Sequence, residues 1–142
     1  TEVLFTGDIS LEDETLLIGE NALLSADILK VSHHGSMYSS SAEFLEKVDA
    51  ETSVISCGRD NIYGHPHKET LERLQGTNIY RTDEQGSILV KLQQDGTYKI
   101  ETLACGYKET GGTAKNVDYN LLFFIDEEGN PIRELEWEIK ED

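Results

Sequence analysis

Cysteine, proline, positive charge and long apolar runs are all scarce in this sequence. The two cysteines, Cys57 and Cys105, give neither a metal-binding spacing nor a disulfide framework, so they leave the redox compartment open. Two prolines and 12 glycines are too few for a low-complexity chain. The longest apolar run, Leu121 to Ile125, falls far short of the roughly 20 residues a membrane-spanning helix needs. The first residues also lack the basic start and apolar core of a signal peptide. Only 12 Lys and Arg oppose 28 Asp and Glu, and the resulting charge of −16 repels phosphate backbones and anionic membranes at long range. Non-specific coating of nucleic acid is therefore excluded as a role. The surplus is spread along the chain, −10 over residues 1–102 and −6 over 103–142, so no acidic tail accounts for it.

What is present fits one compact α/β-type domain: 142 residues, 37% hydrophobic and 28% charged. The chain opens directly in a buried-strand pattern, Val3-Leu4-Phe5, and reads as a fragment of something longer. Apolar periodicity over Leu11 to Leu24 predicts one helix or two short ones, and Asp27 to Val31 reads as a continuous strand. Polar Ser/Gly sequence fills 32–41. A short helix is expected over Ala42 to Lys47, a strand over Thr52 to Ser56, a Gly/Asn loop over 57–66, and a helix from about His67 to Gln75 after Pro66. Asn78 to Arg81 reads as a short strand, and Ser87 to Leu92 with Thr97 to Thr102 as a hairpin across Gln94-Asp95-Gly96.

Beyond residue 102 the pattern changes. Gly111-Gly112-Thr113 breaks the chain, and Tyr119 to Ile125 with Ile132 to Ile139 flank the turn Glu128-Gly129-Asn130-Pro131, which predicts a second hairpin. In its return arm Ile132, Glu134, Glu136 and Glu138 share one parity while Arg133, Leu135, Trp137 and Ile139 share the other, so one face is mostly charged and the other mostly apolar. The expected organisation is residues 1–102 as one unit and 103–142 as a β-hairpin extension of unknown role.

Three predicted strands in succession end in residues that bind metals or move protons, and in open α/β sheets the carboxyl edge of the strands carries the site. Thr6-Gly7-Asp8 follows the first, Ser32-His33-His34-Gly35-Ser36 the second, and the stretch Cys57 to His67 the third; all four histidines lie in these loops. Asp8, directly after a glycine, offers a carboxylate able to bridge cations, although a helix N-cap ahead of Leu11 is the simpler role. Adjacent His33 and His34 could supply one metal ligand and one supporting or substrate contact, or could be a solvated pair. Ser36, Ser39, Ser40 and Ser41 lead into the helix at Ala42, where an anion such as phosphate could bind, or where they are simply caps. His65, held between Gly64 and Pro66, suits a rigid functional group, whereas His67 at a helix start reads as exposed; Arg59 and Lys68 are further candidates for an anion contact.

Taken together, Thr6-Gly7-Asp8, then Ala26 to Ser36 with serines following, then Asn61-Ile62-Tyr63-Gly64-His65-Pro66-His67, then Tyr80 to Gly86 resemble the C-terminal half of the metallo-β-lactamase-fold domain of ComEC-type competence proteins and their stand-alone relatives. The resemblance covers residues 2 to about 93. It implies an α/β fold forming half of an αββα sandwich, β-α-β-α-β-α followed by a hairpin. It also implies that Asp8 matches the metal-bridging aspartate and that His33-His34 carry the last metal-ligand histidine, with His34 favoured as the ligand and His33 as its neighbour. His65 and His33 are the catalytic candidates and Ser36, Asn61 and Tyr63 the substrate-binding ones. Residues 103–142 match no pattern of this family.

The family's principal metal motif, a His-x-His-x-Asp-His run that precedes the aspartate by many residues, does not occur here; the only HxH, His65-Pro66-His67, does not match it. Such hydrolases rely on metals to make a nucleophile from water near neutral pH and to stabilise charge on the attacked centre. The resemblance thus implies a phosphodiester-directed hydrolase of the DNA-uptake kind, with zinc or manganese in the full-length parent and weak or no metal binding by this chain alone. The partner it calls for is the missing N-terminal half of the same domain, and a homo-oligomer is a further option for covering the open sheet face. The parent it implies is extracytoplasmic or membrane-linked. A reading from another class keeps the chain non-catalytic, an interaction module that docks a partner through its hairpins.

Overall fold

A computed structural model describes residues 1–20, 22–103 and 122–131. Four strands, β1 (Val3–Phe5), β2 (Ile28–Lys30), β3 (Thr52–Ile55) and β4 (Asn78–Arg81), form a parallel sheet in the order β1-β2-β3-β4. The register is Val3 to Ile28, Ile28 to Thr52 and Thr52 to Asn78. Helices α1 (Leu11–Gly19), α2 (Ala42–Val48) and α3 (Lys68–Arg73) interleave with the strands, and a short helix α4 (Thr82–Gln85) follows β4. The strands β5 (Ser87–Leu92), β6 (Tyr98–Leu103) and β7 (Leu122–Ile125) form a mixed sheet in the order β6-β5-β7, with β5 antiparallel to β6 and parallel to β7.

Alternation along the central strands builds two cores. Leu29 and Ile55 point to the helices and pack with Val31, Phe44, Val48 and Leu74. Their neighbours Ile28 and Val54 point the other way, to Ile88, Val90 and Phe124. β2 and β3 are buried on both faces, with Ile28 and Leu29 in one and Val54 and Ile55 in the other pointing to opposite sides. The face expected to lie open is therefore occupied by the mixed sheet, with Phe5 and Phe124 edge to face at 4.7 Å between ring centroids. The hairpin supplies apolar side chains at alternate positions, and these face the parallel sheet.

Some expectations need correction. The helix expected over Leu11 to Leu24 stops at Gly19, and Leu23 beyond it is fully exposed. Its N-cap is Ser10, whose side chain accepts from the Asp13 N–H while Asp13 reaches back to the Ser10 N–H in a capping box. Asp8 is thereby free of that duty. Ser32–Gly35, expected as plain loop, is a 3-10 turn. The short helix α4 was not signalled by any periodicity, since four residues are barely one turn. In the second hairpin the turn is present, with the Gly129 N–H donating to Asp126 and an antiparallel bridge between Ile125 and Pro131. The return arm from Ile132 on, with Leu135, Trp137 and Ile139, lies outside the described residues, as does Cys105. Among the described residues no helix is long and apolar enough to cross a membrane.

Candidate functional site

The loops after β1, β2 and β3 converge at the carboxyl edge of the parallel sheet. Thr6, buried, donates its hydroxyl to the Lys30 carbonyl at 2.6 Å, and the His33 N–H donates to the Gly7 carbonyl at 2.9 Å, so the first loop is stitched to the second. His33 and His34 both adopt left-handed backbone, φ 48° and 57°, and Gly35 follows at φ 84°. A non-glycine residue in this region is strained by about 1–2 kcal/mol, and such strain is concentrated at functional sites.

This geometry turns His34 toward Asp8. Its Nδ1 lies 2.7 Å from the Ser56 carbonyl oxygen, which can only accept, so Nδ1 carries a proton and Nε2 is the nitrogen left to face Asp8. That Nε2 is 3.7 Å from Asp8 Oδ1, and both side chains are open to solvent. Two atoms that share a tetrahedral zinc at about 2.1 Å sit about 3.4 Å apart, so this pair has the spacing of two ligands of one cation. A carbonyl behind a ligand histidine is the usual support for such a role. Among the described residues, however, no group of three or more His, Cys, Asp or Glu is arranged to hold a metal ion.

His65 occupies the centre of the remaining cluster. Its ring centroid is 4.8 Å from His67, 5.8 Å from His33, 5.8 Å from Tyr63 and 6.4 Å from His34, with the Tyr63 and His34 rings nearly parallel to it. Partial burial pushes its pKa below the ordinary histidine value, and the neighbouring His67, His33 and His34 add to this against the opposing carboxylate of Asp8. A neutral imidazole at neutral pH results, the form that accepts a proton. Tyr63 is largely exposed over this ring.

His67, expected to be exposed, is half-buried. Its Nδ1 accepts from the Met37 N–H at 3.1 Å, which leaves the proton on Nε2 and makes that nitrogen a donor, not a metal ligand. Ser36 is buried: its hydroxyl accepts from the Tyr38 N–H at 3.3 Å and its carbonyl from Thr70 Oγ1 at 2.8 Å. Ser39 is buried and donates to the Ser32 and Ser36 carbonyls, whereas Ser41 caps α2 by accepting from the Phe44 N–H. The Asn61 side chain is bonded to its own loop. Lys68 pairs with Glu72 at 3.0 Å, and Arg59 Nε donates to the Asp83 carbonyl. Cys57 is no nucleophile: burial foremost, and then Asp83, push its thiol up to about 12.

Sequence reasoning missed two supports of this edge. Glu14 is fully buried, and its carboxylate accepts from the Ser40 N–H and, at 2.8 Å, from the Ser41 N–H. The available signal was a glutamate on the same helix face as Leu17 and Ile18. The second is the segment after β4. Thr82 Oγ1 accepts from the Cys57 N–H and donates to the Cys57 carbonyl, and Arg81 grips Asp83 through two nitrogens at 3.1 and 2.6 Å. For Asp83, burial works toward a higher pKa but is outweighed by the hydrogen bonds from Arg81 and Cys57, so its carboxyl titrates below the ordinary aspartate value.

Gly35 joins the second and third loops. A Cβ there would lie 2.5 Å from Pro66 Cβ, and its carbonyl accepts from the His67 N–H at 2.9 Å. Gly35→Ala should therefore lower stability by about 2 kcal/mol or more, from left-handed backbone strain plus overpacking. Chemical unfolding of the two chains checks this, and an unchanged midpoint would show that the loops are not locked together here.

No family model matches the chain, and no solved structure matches it. Curated relatives do. It is 36% identical over 100 residues to ComE operon protein 3 of Bacillus subtilis, covering 68% of this chain and 13% of the relative. It is 36% identical over 97 residues to competence protein ComA of Neisseria gonorrhoeae, covering 66% and 14%. Recombination protein 2 of Haemophilus influenzae is 35% identical over 95 residues, covering 66% and 12%. The chain thus spans only about an eighth of the length of these relatives, which are ComEC-type competence proteins. Over about 100 residues, this chain is homologous to the ComEC-type competence proteins.

Proposed function

We propose that this chain is the C-terminal half of a metallo-β-lactamase-like hydrolase domain, directed at a phosphodiester and working in a DNA-uptake protein. The observation that carries the reading is the pair His34 Nε2 and Asp8 Oδ1, 3.7 Å apart and both open to solvent, with the Ser56 carbonyl holding the other ring nitrogen of His34. These two residues would hold part of a zinc or manganese site, and the bound metal would lower the pKa of water and stabilise charge on the attacked phosphorus. The other ligands would come from an N-terminal half of the same domain, upstream of Thr1, which would also extend the layers into an αββα sandwich. The family resemblance makes such a parent extracytoplasmic or membrane-linked.

The chain's own residues divide the remaining work. His65, kept neutral by its surroundings, is the proton acceptor, and His33 at 5.8 Å steadies it from the edge. Tyr63 exposes its ring at the mouth of the site, where a substrate group enters. With two donors where catalytic zinc takes three plus water, the isolated chain should bind Mn²⁺ or Zn²⁺ weakly. Calorimetric titration should find that binding removed by Asp8→Ala and by His34→Ala. Binding that survives both substitutions would place any metal elsewhere and remove the support for this reading.

A further inference from the structure

The side chain of Asn61 is committed to backbone. Its Nδ2 donates to the Gly58 carbonyl at 2.8 Å and to the His65 carbonyl at 2.6 Å, while its Oδ1 accepts from the His65 N–H at 2.9 Å. One primary amide therefore holds both backbone polar groups of a single residue and ties them to the start of the loop. An amide has two N–H groups and one carbonyl oxygen, so no donor is left for another molecule. On the far side of His65 the chain is anchored by the His67 N–H on the Gly35 carbonyl and by the contact of Gly35 with Pro66. On the near side Ile62 and Tyr63 are 91% and 70% exposed and anchor nothing by burial.

We infer that Asn61 is a positioning residue for His65, and not a contact to substrate or cation. The amide fixes the backbone of His65, and the backbone fixes where its ring sits among His33, His34, Tyr63 and His67. The importance of that position rests on the hydrolytic reading above, but the clamp itself is testable without turnover. The substitution that separates the roles is Asn61→Asp. It keeps the shape and one acceptor oxygen and would hold a cation at least as well, yet it sets a carboxylate oxygen against the Gly58 and His65 carbonyls, where an N–H now lies.

The experiment uses the full chain without metal and follows His65 by ¹H–¹⁵N NMR and amide exchange in the wild type, Asn61→Asp, Asn61→Ser and the control Ile62→Ala. In both Asn61 variants exchange of the His65 amide should accelerate about tenfold or more and the His65 ring signals should move, with the thermal midpoint held; Ile62→Ala should match the wild type. Mn²⁺ is then titrated into each. His65 signals at wild-type positions in Asn61→Asp, or tighter Mn²⁺ binding by that variant with His65 unmoved, would overturn the assignment. Should Asn61→Asp unfold, Asn61→Ser removes the clamp without adding charge. Acceleration of all amides together in Asn61→Ser would make Asn61 a general prop and also overturn it. The His65 comparison is made on the metal-free chain, so it stands whether or not the wild type binds Mn²⁺; that binding bears on the hydrolytic reading alone.

Discussion

Glu14→Ala should destabilise the protein by about 2–5 kcal/mol, the sum for one buried and one part-buried N–H group left without an acceptor. The carboxylate is fully buried on α1, and it alone receives the N–H groups of Ser40 and Ser41 ahead of α2. Ser40 stands in left-handed backbone at φ 56°, a conformation that needs such a tether. The same stretch is tied to the histidine turn, because Ser39 donates to the Ser32 carbonyl at 3.2 Å. Loss of Glu14 should therefore loosen His33 and His34 along with the start of α2. Glu14→Gln, which keeps one acceptor oxygen, should fall between the wild type and Glu14→Ala, and Glu12→Ala on the exposed face of the same helix should change little. Urea unfolding of the four chains decides the matter: a loss under about 1 kcal/mol for Glu14→Ala would mean that water replaces the carboxylate.

A longer chain that restores the segment upstream of Thr1 should hydrolyse a bis-aryl phosphodiester in the presence of Mn²⁺ or Zn²⁺, whereas the present chain should not. Asp8→Ala in the longer chain should lower kcat/KM by more than about 100-fold, since changes to groups that merely support metal ligands already reach 10- to 100-fold. His34→Ala should match it, because the two side chains meet at 3.7 Å and would share one ion. Metal-dependent turnover by the present chain, abolished by Asp8→Ala, would overturn the claim that its ligand set is incomplete. A longer chain that folds and binds metal but cleaves nothing would favour the interaction-module reading.

The parallel sheet was legible because β2 and β3 each carry adjacent apolar residues, Ile28-Leu29 and Val54-Ile55, in short segments bounded by polar loops and alternating with helices. The end of α1 was misplaced because Ala22, Leu23 and Leu24 continue the apolar count beyond Gly19, and composition cannot tell a helical leucine from an exposed one such as Leu23. The convergence of three strand-end loops could be anticipated from topology, since parallel strands place their carboxyl ends on one edge. Which atoms face each other could not. The tautomer of His34 is set by the Ser56 carbonyl, 22 residues away, and the acceptor role of His67 Nδ1 by the Met37 N–H, 30 residues away. Glu14 was hidden for a related reason: a charged residue on a helix reads as solvated until its long-range partners are known.

The left-handed backbone at His33, His34 and Gly35 has a consequence for engineering. Glycine relieves strain in that region, and β-branched residues worsen it. Any selection for thermal tolerance alone would therefore enrich glycine at positions 33 and 34 and erase both imidazoles while leaving the fold intact. Homologues recruited to purely structural work would drift in the same direction. The identity of the residues at 33 and 34 in a newly found sequence is thus a test of the proposed site that overall similarity cannot supply, because neither core cluster contains His33 or His34.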